Sequence, residues 1–154
     1  MSDKKIVELL HKAYAAELET VANYLANSVW LDGLRAEEIK ESLAEDLTEE
    51  LGHAQKIAHR LKVLGAAPKG SLSLERNQKT LQPPADSTDI VAVVKGVIDA
   101  EKSAIAGYRE LADACDGKDY VTQDLAITLL ADEEEHLCLF EGFLRSLEKH
   151  GAKA

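Results

Sequence analysis

Four glutamates lie inside apolar helical stripes, one per helix, and this pattern constrains the fold more than any other feature of the chain. At 3- and 4-residue steps the first segment reads Leu10, Tyr14, Glu17, Val21, Tyr24, and the second reads Leu43, Leu47, Glu50, Ala54, Ile57, Leu61. The third reads Ile90, Val94, Val97, Glu101, Ala104, Tyr108, Leu111, and the fourth reads Leu129, Glu133, His136, Phe140, Phe143, Leu147. That spacing puts each set on one face of an α-helix. A glutamate on a core-facing stripe is costly to bury unless it is paired or ligating. One such residue carries little weight; four, one per helix, require a common partner.

A duplicated motif says what the partner is. Glu-x-x-His occurs as Glu50-Leu51-Gly52-His53 and as Glu133-Glu134-Glu135-His136, and positions i and i+3 share a helix face. Glu17 precedes Glu50 by 33 residues and Glu101 precedes Glu133 by 32. Four carboxylates and two imidazoles brought together in this way would hold two metal ions. A third copy, Glu8-Leu9-Leu10-His11, puts Leu10 rather than the motif on the stripe and reads as surface. Glu134, Glu135, His59 and His150 read as solvated. The competing reading of the six residues, a buried polar network without metal, needs register, height and duplication to coincide by chance.

The breaks between segments set the topology. Helices are predicted over Lys4–Trp30, Ala36–Leu64, from Ser87-Thr88-Asp89 as N-cap residues to Ala114, and Tyr120–Lys149. Leu31-Asp32-Gly33-Leu34 and Asp116-Gly117-Lys118-Asp119 are short turns, so each flanking pair forms an antiparallel hairpin. The connection Ala66–Asp86, with Pro68, Gly70, Pro83 and Pro84, is about twenty residues long, and a crossover along the bundle accounts for it. The expectation is an all-α chain: one domain over 1–154, built as a four-helix bundle of two hairpins joined by one long crossover. At 1.5 Å per residue all four glutamates then lie about 24 Å from their turns, in one layer at mid-bundle.

Composition excludes several classes. A net charge of −10 disfavours nucleic-acid binding, which requires basic surface against phosphate, and favours attraction of cations. No apolar run is long enough to span a membrane. The start, MSDKKIVELL, has no apolar signal-peptide core, so a cytoplasmic location is expected. The two cysteines, Cys115 and Cys138, form no C-x-x-C pair, which removes a zinc-ribbon or rubredoxin-type site. Both are expected to be buried thiols of ordinary core type, too far apart along a straight hairpin for a disulfide.

The six-residue constellation resembles that of bacterioferritins and the ferritin-like di-iron carboxylate family, over nearly the whole chain. The resemblance implies Glu17 and His53 as terminal ligands of one iron, Glu101 and His136 as terminal ligands of the other, and Glu50 and Glu133 as bridges. It places Tyr24, seven residues after Glu17, beside the centre. It implies two Fe per chain, with Mn or Zn also suited to carboxylate and imidazole ligands. The implied activity is oxidation of Fe²⁺ by O₂ or H₂O₂, followed by storage of the oxidised iron in a homo-oligomeric cage. Glu49 or neighbouring polar groups are expected to hold the histidine rings.

Two features depart from the bacterioferritin pattern. The haem-binding methionine of that group would follow the bridging glutamate, where this chain has Leu51, and its only methionine is Met1; no haem is expected. The chain ends soon after the fourth helix, so a 24-subunit shell that depends on a fifth helix is not expected, and a dodecamer or smaller assembly is. A Dps-like protein with a bacterioferritin-type site fits these departures. The alternative function is a small di-metal redox enzyme, a rubrerythrin-like peroxidase or an oxygenase, acting as a dimer without storage.

Overall fold

The computed structural model describes residues 3–151, and among them every regular element is helical. The four long helices are α1 (Lys4–Trp30), α2 (Ala36–Val63), α3 (Ile90–Cys115) and α4 (Tyr120–His150). They agree with the predicted segments to within a residue or two at each end. Two short 3₁₀ turns, Ser71–Ser73 and Lys79–Leu81, lie in the crossover. No described helix is long and apolar enough to cross a membrane.

Caps explain where three helices begin. Asp3 accepts a hydrogen bond from the Lys5 amide, Asp89 from that of Ala92 and Asp119 from that of Thr122, each satisfying an otherwise orphaned first-turn donor. At the C-terminus of α2 the chain turns at Gly65, whose φ of 83° favours glycine.

α1 packs on α2 and α3 packs on α4 as two hairpins, and the hairpins meet chiefly through α1 and α3. The core is divided. One cluster, at the α1–α2 turn end, includes Leu31, Ile39, Leu43, Val94, Val97 and Phe140. The other, at the α3–α4 turn end, includes Leu10, Ile57, Leu61, Leu111, Ala126 and Leu129. The four stripe glutamates and two histidines lie buried at intermediate heights on their helices.

The crossover is strapped to the first hairpin and to α3. Asn77 and Gln78 donate their backbone N–H groups to Glu19 at 2.8 and 2.9 Å. The Gln78 side chain donates to the Thr20 hydroxyl at 2.6 Å and accepts from the Asn23 amide at 3.0 Å. Asn27 donates to the Leu81 carbonyl at 2.9 Å. These contacts bury Thr20, Asn23 and Asn27, so α1 is covered on a second, polar side that its apolar stripe does not reveal. At the other wall of the strap, Gly96 of α3 lies so close to Thr80 that an added Cβ would stand 2.3 Å from its carbonyl oxygen.

Candidate metal centre

Each helix delivers its polar residue by register. Glu17 comes from the middle of α1, Glu101 from the middle of α3, and the two i, i+3 pairs from α2 and α4. The structure brings together all six residues singled out from the sequence, each no more than 6 % exposed. Among the described residues four sets have ligand-type atoms within 4.8 Å of one another: Asp46, Glu49 and His136, and Glu49, His53 and Asp132, at the outer edges of the rings, and two made wholly of the six, Glu17, Glu50, His53 and Glu133, and Glu50, Glu101, Glu133 and His136. Glu50 and Glu133 belong to both of the latter.

The imidazoles face inward through Nδ1. His53 Nδ1 lies 2.9 Å from Glu133, 3.3 Å from Glu50 and 3.7 Å from Glu17. His136 Nδ1 lies 3.1 Å from Glu50, 3.7 Å from Glu101 and 3.9 Å from Glu133. The outward nitrogens are held across the bundle. His53 Nε2 meets Asp132 at 3.0 Å, and His136 Nε2 meets Glu49 at 2.9 Å with Asp46 at 3.6 Å. A carboxylate on Nε2 favours the tautomer that carries the proton there and leaves the Nδ1 lone pair inward.

Two tyrosines cross-link the hairpins. Tyr24 of α1 donates to Glu101 of α3 at 2.6 Å, and Tyr108 of α3 donates to Glu17 of α1. Tyr24 stands beside the centre as expected. Tyr108, placed among core residues from the sequence, takes the equivalent part. The signal was available: Tyr108 follows Glu101 by seven residues, as Tyr24 follows Glu17. Asp132 was also missed, although it precedes Glu133 as Glu49 precedes Glu50.

The electrostatics follow from crowding. Burial, and then the neighbouring Glu50 and Glu133 carboxylates, hold Glu17 and Glu101 well above the usual carboxylate range. Burial also raises Glu50 and Glu133, but the close approach of Glu17 and Glu101 and of both imidazoles outweighs it and holds them below that range. Burial lowers His53 and His136, yet the surrounding carboxylates outweigh it and hold both above the ordinary imidazole value. Burial pushes Asp46 up to about 6. Even so, one oxygen of each stripe glutamate and Nδ1 of each histidine lack a hydrogen-bond partner. Buried polar atoms without partners are rare in a settled core. A cluster of inward carboxylate oxygens and imidazole nitrogens is the donor set that divalent Fe, Mn or Zn accepts.

Two expectations need correction. Cys115 is buried, but Cys138 is exposed: it falls two residues past His136, on the flank of α4 that faces away from the core. His11, expected at the surface, is half-buried with Nδ1 enclosed, while Glu8 is exposed as expected. His59, Glu134, Glu135 and His150 are exposed, as read from the sequence.

Four helices in two hairpins, a long crossover and a six-residue carboxylate–imidazole layer define the ferritin-like class. The sequence matches the Ferritin family model, a ferritin-like domain, over residues 7–150, and the chain belongs to that family. It is 32 % identical over 149 residues to the DNA protection during starvation protein of Pyrococcus furiosus, covering 92 % of this chain and 77 % of that one. It is 29 % identical over 150 residues to the bacterioferritin of Brucella melitensis, covering 97 % and 88 %. A solved structure, the bacterioferritin-related protein from Bacteroides fragilis described as a dodecameric thioferritin, superposes with a TM-score of 0.82 at 26 % identity, covering 96 % of this chain and 88 % of that one. Family membership supports iron storage and ferroxidase chemistry at the level of the family as a whole.

Proposed function

We propose that this chain is a ferroxidase that oxidises Fe²⁺ at a dinuclear site inside the bundle and stores the product in a homo-oligomeric shell. The observation that carries this reading is the pair of four-residue sets sharing Glu50 and Glu133. In this arrangement Glu17 and His53 serve one ion, Glu101 and His136 serve the other, and the shared glutamates span both.

The residues have distinct tasks. Asp132 and Glu49 hold the outward Nε2 atoms, so that both imidazoles face inward through Nδ1. Tyr24 and Tyr108 hold Glu101 and Glu17 in place. Binding of two cations requires the ligands to give up their protons, and four carboxylates then balance the four positive charges brought in by two Fe²⁺. Each Fe²⁺ substrate loses one electron. Dioxygen accepts the two electrons and two protons to become H₂O₂, or H₂O₂ accepts them to become two waters. The chemistry supplied by the paired iron is this two-electron step; the protein's part is to hold two ions within reach of one oxidant.

A cage of twelve subunits is supported by the dodecameric description of the Bacteroides fragilis relative, and a net charge of −10 suits a shell that concentrates cations. No haem is assigned. Leu51, which stands where the bacterioferritin haem methionine would, is 42 % exposed.

The test is light scattering coupled to size exclusion, before and after aerobic Fe²⁺ loading, with retained iron measured in the same fractions. A shell holding many irons per chain is expected. A dimer retaining about two metals per chain would overturn storage and favour a small redox enzyme; a chain that retains no metal would overturn both.

A further inference from the structure

We infer that a cavity between the first half of α1 and the crossover binds a tetrahedral oxyanion of the phosphate class. The inference stands apart from the ferroxidase reading, because none of the six residues of the metal layer lines this cavity. Its volume is about 320 Å³. Lys5, His11 and Lys12 of α1 form one wall, and Lys69 and Ser73 of the crossover form the other.

The charges there are out of keeping with the rest of the chain. Acidic side chains outnumber basic ones by 28 to 18, yet three ammoniums converge on one concavity. Of these, Lys5 is paired with Glu110 at 3.1 Å. Neither Lys12 nor Lys69 forms an ion pair among the described residues. Lys12 has an acid in reach by sequence: Glu8 stands one turn earlier, the spacing at which a helix pairs glutamate with lysine. Glu8 and Glu75 also line the cavity, and neither closes on an ammonium. Two unpaired ammoniums sharing a concavity attract an anion from outside.

Neutral donors stand beside them. His11 is half-buried, and its Nδ1 is enclosed without a hydrogen-bond partner. Burial, and then the Lys69 ammonium, hold the ring below the ordinary imidazole value of 6.5, so at pH 7 it is neutral and carries one N–H. An enclosed lone pair without a partner is better tolerated than an enclosed N–H, which favours the tautomer with its proton on Nε2. The Ser73 hydroxyl, on the first 3₁₀ turn of the crossover, rotates to suit an acceptor. The Glu8-Leu9-Leu10-His11 copy of the ligand motif does not make this a cation site. Among the described residues no third ligand-type side chain completes a set with Glu8 and His11, and the ammoniums repel a cation.

Size and chemistry narrow the ligand. Pockets for small organic ligands run from about 300 to 1,000 Å³, so this one is at the lower end. It is about ten times the share of one water in the liquid, ~30 Å³, which suits an inorganic ion with some of its hydration or the phosphate end of a small ester. A phosphate monoester carries about −1.5 to −2 charges at neutral pH and three acceptor oxygens. Two ammoniums and two neutral donors can then each meet an oxygen, the charged contacts being the stronger.

The test is isothermal titration of the metal-free oligomer at pH 7 and low salt, with inorganic phosphate and, separately, with phenyl phosphate. One phosphate per chain is expected. Lys12→Gln with Lys69→Gln should weaken binding by at least about 10-fold, and Lys12→Arg with Lys69→Arg should keep it within a few-fold of wild type. Lys95→Gln with Lys102→Gln removes the same charge from exposed positions outside the cavity and should leave affinity unchanged. Glu8→Gln should tighten binding several-fold. Phenyl phosphate bound as tightly as inorganic phosphate would assign the cavity to the ends of phosphate esters, and its exclusion would assign it to the free ion. No uptake by the wild-type protein at millimolar phosphate would overturn the proposal, and so would equal affinities in the Lys12/Lys69 and Lys95/Lys102 variants.

Discussion

The imidazoles of His53 and His136 lie 6.4 Å apart, centroid to centroid, with their planes inclined by only 23°. They come from different hairpins, yet each ring is steadied by an acid of the opposite one: Asp132 of α4 for His53 of α2, and Glu49 of α2 for His136 of α4. Removing one acid should therefore loosen the half-site of the other hairpin. Asp132→Asn and Glu49→Gln are each expected to lower metal affinity by roughly 10- to 100-fold, with Asp132→Asn weakening the His53 ion and Glu49→Gln the His136 ion. Anaerobic titration resolving the two ions checks this; equal loss at both ions in either variant would count against it.

Glu50 takes part in both ligand sets, so its loss should be felt by both ions. In Glu50→Ala, rapid Fe²⁺ oxidation is expected to fall by more than about 100-fold, beyond the range usual for residues that merely orient a ligand. Stopped-flow oxidation at two Fe²⁺ per chain is the measurement, and near-wild-type rates would sink the dinuclear assignment.

Tyr24 and Tyr108 make equivalent bonds to Glu101 and Glu17. Replacing either by phenylalanine leaves a buried carboxyl short of one donor, which costs about 1–2 kcal/mol. For a chain of this size that corresponds to roughly 2–8 °C in Tm. The metal-free Tyr24→Phe and Tyr108→Phe proteins should melt within a degree or two of each other. A large drop for Tyr24→Phe alone would show that Tyr108 is only filling space.

Gly96 admits no side chain. The 2.3 Å approach of a Cβ to the Thr80 carbonyl forces the crossover away from α3, and overpacking of this kind costs about 1–3 kcal/mol. Gly96→Ala should lower the melting temperature and speed proteolysis within residues 71–82, whereas Gly52→Ala, with nothing within 4 Å of its Cβ, should not.

Acid sensitivity away from the metal layer should centre on Asp119. Partial burial raises its carboxyl, but hydrogen bonds from Thr122 and the Arg60 guanidinium 2.8 Å away outweigh that and hold it below the ordinary value of 3.8. A depressed folded-state pKa contributes stability above pH 3.8 that is lost as pH falls through the lower, folded value. Asp119→Asn should lower stability at neutral pH and reduce the further loss on acidification, as read by denaturant melts from pH 7 to pH 3.

The four helices, the two hairpins and the six-residue layer were legible because each is a periodic signal. Glu17 and Glu101 could be found by spacing alone, since register alone decides which face of its own helix each occupies. Tyr108 and Asp132 were equally encoded, as counterparts of Tyr24 and Glu49 in a repeated hairpin, but a tyrosine in an apolar stripe and an aspartate beside a glutamate do not stand out until their partners are seen. The buried side of α1 at Thr20, Asn23 and Asn27 was not legible. Its partners lie more than fifty residues away in the crossover, and hydrogen bonds between a helix and an irregular segment leave no periodic trace. The exposure of Cys138 escaped for a related reason: proximity in sequence to His136 does not mean proximity in angle around α4.

The strap has a consequence for the buried layer. α1 carries Glu17 and is also the beam to which Gln78 and Glu19 fasten the crossover. The position of one stripe carboxylate is therefore set from two places at once, by the apolar packing of the bundle and by a run of polar contacts that involves none of the six residues of the layer. Drift in the crossover's sequence, about sixty positions from Glu17, would be felt at that carboxylate.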